Sequence, residues 1–500
     1  MNLWGVLAME VIDLSRDVSY RDIWKISVGK ARASIKDNVY ETLEKRRDEL
    51  IEMIRRGGKC YGVTTGVGGL KDVEVDPFEV ARRSRDFLRE HTAGSGDPLD
   101  KSIVRGAMAI LVRQLSNGYS GVSPDTVSLL VEMLNRDIVP IVPRYGSLGA
   151  SGDLAPMAYI GLALTGMGFV EKGGRILRSS QALAEEGLKP LDLGPKEALS
   201  IINNTAMSTS IAVHALVAAE KLLKALEISS SIAIQAMGTP KQHVDLEMLS
   251  LKKHPGILGV AVDMHRILDG SSNLGRSGVI QDIYSYRCIP QVLGALRDSL
   301  EYARSIVDRE MNAVTDNPLI LGGECVSGCN FHGIYIAIAM DLLSISMIPA
   351  LIQCERRISA ILDKNLSRGL PPFLSENPGK SSGLMMLQYL AAALLNRAKT
   401  LSTPATQDNT PTSANHEDHV SNSLNAGLKA LEIAELGLRI ASIEMLVMSR
   451  ALSLRGWLDG LSPLTKKIHN IAIDKLLNAE TLGEAVDAMA RELATFVEDL

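Results

Sequence analysis

A mainly α-helical chain with a core of long bundled helices is the fold class that the sequence predicts. Three observations carry it. There is no proline between Pro195 and Pro240, and none between Pro411 and Pro463; proline removes a helix hydrogen bond and clashes with the preceding turn. Both stretches are rich in Ala, Leu, Ile, Glu and Lys. Few segments alternate apolar and polar residues with period two for long, so little strand is expected.

Taken in order, residues 57–70 (GGKCYGVTTGVGGL) and 140–153 (PIVPRYGSLGASGD) read as glycine-rich loops between helical stretches. Gly173-Gly174, followed by a short Ile/Leu pair, reads as a hairpin turn. Ala206–Met237 reads as one long helix, apolar on more than one face, and a second covers about Ser421–Arg455. Such helices must be buried on several sides, which implies a bundle shared between subunits. The apolar run Ile334–Ile352 is interrupted by Asp341 and Pro349 and reads as a buried helix, not a membrane span. A soft boundary near residue 200 separates an N-terminal region, 1–200, from a helical-bundle region, 201–500.

Composition excludes several roles. Of 500 residues, 46% are hydrophobic and 22% charged, with a formal net charge of −5. That balance gives no footprint for nucleic acid or an anionic membrane. The N-terminus MNLWGVLAMEVID has neither the basic start nor the apolar run of a secretory signal. Five scattered cysteines, Cys60, Cys288, Cys325, Cys329 and Cys354, imply no framework of bridges, so a reducing cytoplasm is expected. Neither Cys325-x3-Cys329 nor His416-Glu417-Asp418-His419 completes a metal-ligand set, so no metal is expected. Glu376–Ser381 ends like a phosphate loop, but Leu374 stands where its first glycine belongs, and Gly66–Gly69 lacks dinucleotide spacing.

The chemically distinctive segment is Gly146–Pro156, which contains Ala150-Ser151-Gly152. One reading is a helix start, with Ser151 or Asp153 as cap. The other is chemical. A small residue, a serine and a glycine allow a fold so tight that the glycine amide attacks the carbonyl two residues back. Loss of one water from the ring and another from the serine leaves an alkene conjugated to a carbonyl, a strong electrophile made from protein alone.

Here the chain resembles the aromatic amino acid ammonia-lyases, and among them the histidine branch. The resemblance spans nearly the whole sequence. Tyr61–Gly68 is similar to Y-G-x-x-T-G-F-G, His91–Gly94 to H-A-A-G, and Ile201–Thr205 to L-x-N-G-T. Gln281–Gln291 matches Q-D-x-Y-S-x-R-C-x-P-Q; Asp316-Asn317-Pro318 and Asn330–Gly333 follow. Ser413–Ser421 is close to Q-E-D-H-V-S.

The resemblance implies a fold similar to the fumarase/aspartase-like lyases, a smaller N-terminal region carrying the electrophile, and a homotetramer whose active sites are shared between subunits. It implies a 4-methylideneimidazol-5-one group formed from Ala150, Ser151 and Gly152, and conversion of L-histidine to trans-urocanate and ammonia. Tyr61 is then the general base, a role that calls for a phenol of lowered pKa. Arg287 clamps the substrate carboxylate with its planar fork. Asn203 and Tyr284 hydrogen-bond the new group or developing charge. Gln281 assists carboxylate or base, Phe331 stacks on the substrate ring, and His91 with Glu417 surrounds the imidazole. Three positions depart from the family pattern: Glu90 replaces a small hydroxyl residue, Asn204 a glycine and His416 a glutamine. Two other functions stand beside this one: a tyrosine or phenylalanine lyase or aminomutase with the same electrophile, and a non-catalytic helical assembly protein.

Overall fold

Helices make up most of the computed structural model, which describes residues 9–496. The stretch 1–8, which holds most of the segment read as no secretory signal, lies outside the described residues. Ala206–Met237 forms one helix over the span expected, and Ser423–Arg455 another. The helix Ile334–Leu362 continues through Pro349 and ends ten residues beyond Ile352, where the apolar run was read to stop. By length and composition it is the one described helix able to cross a membrane, yet 56% of its most apolar window is buried. The Gly173-Gly174 hairpin forms as read: Phe169–Lys172 pairs antiparallel with Arg175–Arg178, and both glycines have positive φ. That conformation is the one a two-residue hairpin turn demands.

The chain divides into two units, neither continuous in sequence. The first comprises residues up to His214, Arg304–Met340 and Ala405–Leu428. Its first crossing, at His214/Ala215, and three of the later ones fall inside long helices, which sequence punctuation does not mark, whereas the crossing at Pro404/Ala405 falls between helices. All the named strands lie in this unit, in four small sheets. Leu154–Leu164 packs against Glu197–Ile202 and Ser84–His91. Lys196, fully buried, donates to Asp316 Oδ2 at 2.6 Å and Ser200 Oγ at 2.7 Å. Burial lowers the Lys196 pKa, and the Asp316 carboxylate opposes that. The pair fastens the start of Glu197–Ile202 to the segment leading into the hairpin Leu319–Leu321/Glu324–Val326, which turns on Gly322-Gly323.

The sequence reading of unbridged cysteines is corrected in this unit. Cys60 and Cys325 form a disulfide across 265 residues. The spacing gave no hint of it because the loop and the hairpin meet only in the fold. Closing so large a loop stabilises a domain by about 2–4 kcal/mol. Cys288, Cys329 and Cys354 are free.

The second unit comprises Ala215–Ala303, Asp341–Pro404 and Lys429–Leu500. In it Ile440–Ser449 is buried without interruption, as a helix enclosed on all sides must be. Glu444, among these residues, is one half of a buried ion pair. Arg357 Nε and Nη2 donate to Glu444 Oε1 and Oε2 at 2.5 and 2.9 Å, with side chains 1% and 0% exposed. Ser229 Oγ and Cys354 Sγ donate to the same carboxylate, and Arg357 also reaches Ser230 and the Ser285 carbonyl. These contacts satisfy most of what burial would otherwise orphan. Glu444→Gln, which strands a buried guanidinium, is expected to lower stability by about 3–5 kcal/mol in denaturant unfolding, while Arg357→Met with Glu444→Leu recovers most of that loss.

Candidate functional site

A cavity of about 640 Å³ opens where five separate segments of the first unit meet. Its wall holds Tyr61 and Lys71; Ala150, Ser151 and Asn203; Asn317, Ser327, Gly328, Cys329, Phe331 and His332; and His416–His419.

The floor is the Ala-Ser-Gly turn. Gly152 has φ +66°, and a Cβ there would lie 2.3 Å from the Asn204 carbonyl oxygen. Only glycine fits both the angle and the space. Asp153 N donates to that same oxygen at 2.8 Å, so the turn lies flat on the 203–204 backbone. The departure Asn204 has a local cause: its amide donates to the Ile201 carbonyl at 2.9 Å and its Oδ1 accepts from Ala206 N at 3.0 Å. It closes one helix and opens the next, as Asn does well. Asn203 Nδ2 donates to the Ser151 carbonyl at 3.2 Å, and Asn203 Oδ1 is buried without a hydrogen-bond partner. This cradle, with its orphaned amide oxygen, fits a ring closed between residues 150 and 152.

Ser151 Oγ donates to Glu417 Oε1 at 2.8 Å, and Thr412 Oγ1 donates to Glu417 Oε2 at 2.9 Å. Ser413, Ala414 and Asn415 between them have φ of 51°, 54° and 63°. Each left-handed non-glycine residue costs about 1–2 kcal/mol. The strained turn is held by mutual Thr412–Glu417 backbone bonds and by Ser413 Oγ, which accepts from Gly69 N at 3.0 Å. It aims Glu417 at Ser151. Opposite, Tyr61 OH accepts from Gly68 N at 2.6 Å. Burial pushes the phenol up, the Gly68 amide draws it down and the Glu417 charge pushes it up; the net direction is upward. The lowered phenol expected from sequence is therefore absent from this wall, because burial disfavours the phenolate and the Glu417 charge adds to that. His332 Nε2 lies 3.1 Å from His419 Nδ1, and burial, then the His419 charge, lower the His332 pKa.

The cavity thus unites Tyr61, Ala150, Ser151, Asn203, Phe331 and Glu417, with Gly152 directly behind. His91 is not in its wall; its Nδ1 lies 2.7 Å from the Phe87 carbonyl. Glu90 is exposed and lines a separate acidic groove with Glu79 and Asp86. Gln281, Tyr284 and Arg287 belong to the second unit, where Arg287 Nη1 donates to Gln281 Oε1 at 2.5 Å and stacks 5.1 Å from the Tyr284 ring. Sequence reasoning assigned no role to Lys71, Asn317, His332 or His419; the last three lie within motifs already quoted, and that proximity was the available signal. A larger depression of about 750 Å³ holds Arg105 and Asp137, already paired at 3.0 Å. Among the described residues no group of three His, Cys, Asp or Glu is placed to hold a metal ion.

A helical chain that brings an Ala-Ser-Gly turn, a phenol and a carboxylate into one cavity has the makings of a carbon–nitrogen lyase. Residues 18–473 match the family model described as aromatic amino acid lyase, and the chain belongs to that family. It is 40% identical over 463 residues to the probable histidine ammonia-lyase of Thermoplasma acidophilum, covering 92% of this chain and 93% of that one. Among solved structures, tyrosine aminomutase from Streptomyces globisporus aligns with a TM-score of 0.92 at 29% identity, covering 97% of each chain. Histidine ammonia-lyase from Trypanosoma cruzi aligns at 0.87 and 28%, covering 98% of this chain and 94% of that one.

Asp153 supplies a pH test of the floor. Fully buried, it is pushed up to about 6 by burial, against hydrogen bonds from Ser208 and Ser147. Between about pH 4 and 6 the native chain therefore holds a proton that the unfolded chain has lost. Stability should fall as pH rises through that window and then level off. Asp153→Asn should flatten this part of the profile, measured as Tm against pH.

Proposed function

We propose that the chain removes ammonia from L-histidine to give trans-urocanate, using a 4-methylideneimidazol-5-one group formed from Ala150, Ser151 and Gly152. The contact that carries this reading is Ser151 Oγ to Glu417 Oε1: a carboxylate and the electrophile's precursor share one cavity with Tyr61. The names of the curated relatives point to the same substrate. When formed, the group supplies an electrophilic alkene that captures the substrate.

The chain's own residues do the rest. Tyr61, as phenolate, takes the β-hydrogen as general base. Asn203 steadies the floor through its amide. Glu417 faces the imidazole, where a carboxylate forms a charge-assisted hydrogen bond with a ring N–H; Phe331 covers the ring. His91, which lies outside this cavity wall, is assigned to the imidazole by the resemblance alone. Arg287, Gln281 and Tyr284 reach the site from other subunits of a homotetramer, Arg287 clamping the carboxylate and offsetting the Glu417 charge that holds the phenol up. Two observations support assembly. Ile280 and Tyr284 are 87% and 71% exposed, and Tyr335, Ile338, Leu342 and Ile345 form an exposed apolar stripe on one helix. Apolar surface of that kind marks an interface. We place the enzyme in the cytoplasm, without nucleic-acid or membrane partners, a reading that no longer draws on the cysteines now that Cys60 and Cys325 are bridged.

Incubation with L-histidine should raise absorbance at urocanate wavelengths, and the intact protein should be lighter than its sequence by two waters. Ser151→Ala should abolish activity. An unmodified mass in active enzyme would overturn the electrophile, and faster turnover of tyrosine or phenylalanine would overturn the substrate. Tyr61→Phe should cut kcat strongly with little change in binding. Glu417→Gln loses a charge-assisted bond of about 1.5–3 kcal/mol, so kcat/KM for histidine should fall about ten- to a hundredfold. Activity towards phenylalanine should fall less.

A further inference from the structure

We infer that the Cys60–Cys325 disulfide is a positioning pair that sets Tyr61 against the opposite cavity wall, and that a dithiol reductant switches this setting off. The inference rests on the reading of Tyr61 as the base. Cys60 immediately precedes Tyr61, and is 2% exposed in an apolar cluster with Leu50, Met53, Ile54, Val63 and Ile320. Thr64 braces it from within the loop, with Oγ1 accepting from Cys60 N at 2.8 Å. Cys325 lies opposite Ile320 in the hairpin register. One residue beyond that strand the chain enters the cavity wall at Ser327, Gly328, Cys329 and Phe331. Gly328 N donates to Asn317 Oδ1 at 2.8 Å, so the wall is itself tied down. The disulfide is thus a covalent tie between the segment carrying the base and the segment carrying the ring-stacking residue, placed one residue from the first. A staple serving stability alone gains as much anywhere that closes a comparable loop.

The switching step balances. A thiolate of the dithiol attacks Cys325 Sγ, the half-buried end. The Cys60–Cys325 bond breaks, and Cys60 leaves as thiolate and takes a proton. The reductant's second thiol then displaces Cys325 and closes the reductant's own disulfide. Two electrons and two protons pass to the protein.

The full chain, purified without reductant and denatured in iodoacetamide, should alkylate at three cysteines, Cys288, Cys329 and Cys354, and at five after dithiothreitol. In native enzyme, dithiothreitol should lower kcat for histidine by about tenfold or more while KM changes less than about threefold. The acidic limb of the kcat–pH profile, where the base ionises, should move. Hydrogen exchange should quicken at 61–68 and 327–331 and not along the long helices. Oxidised glutathione should restore all of these. Cys60→Ala with Cys325→Val keeps the cluster apolar; it should behave as the reduced enzyme and ignore dithiothreitol. Five alkylated cysteines without reductant would overturn the proposal. So would unchanged kcat, pH profile and exchange after reduction, or exchange that quickens everywhere, which would mean a purely structural staple. If histidine is not turned over in either redox state, the proposed reaction falls, and the local exchange contrast alone decides whether the tie sets the two walls.

Discussion

The site depends on one contact: the backbone of Gly152 lying against the backbone of Asn204. A Cβ at 152 would meet the Asn204 carbonyl oxygen at 2.3 Å, closer than side chains pack. With glycine there, the turn can press onto residues 203–204, and the Asp153 amide locks it there. That single approach fixes the direction in which Ser151 leaves the backbone. The rest of the first unit holds the two surfaces together. Leu154–Leu164 grows out of the turn and packs on Glu197–Ile202, whose end delivers Asn203. The buried Lys196–Asp316 pair then fixes that helix to the segment that becomes the Phe331 wall.

Strain and charge are concentrated on the Glu417 side. Three successive left-handed residues are an expensive way to make a corner, and they persist because hydrogen bonds from both ends over-determine them. The result is a carboxylate with both oxygens engaged before any substrate arrives. Burial first, and then its negative charge, hold the Tyr61 phenol up, so positive charge brought to the cavity would ease ionisation of the phenol.

Much of this was legible in the sequence, and the reasons are physical. Helices such as Ala206–Met237 are announced by composition and by the prolines that bound them. Gly173-Gly174 announces a hairpin because few other pairs tolerate its angles. Tyr61, Ser151, Asn203, Phe331 and Glu417 sit in motifs whose residue types suit one chemistry, and the fold brings them together. The Cys60–Cys325 bond, the His332–His419 pair and the Lys196–Asp316 pair were not legible. Each joins residues far apart in sequence, and no local pattern encodes such a meeting. The upward displacement of the Tyr61 phenol was hidden for the same reason, since it comes from burial and from Glu417, 356 positions away. His91 is a different case: the motif is present, but its ring faces Phe87 in the chain taken alone.

The disulfide also changes how the chain carries tension. Drawn from its two ends, the polypeptide would transmit force through the Cys60–Cys325 bond and bypass everything between. Some 265 residues, a contour of about 900 Å, would stay slack inside a covalent ring. That ring contains Ser151, Gly152 and Asn203 but not Glu417. Under load the floor of the cavity is shielded, while the carboxylate that faces it lies on the stretch of chain that is pulled.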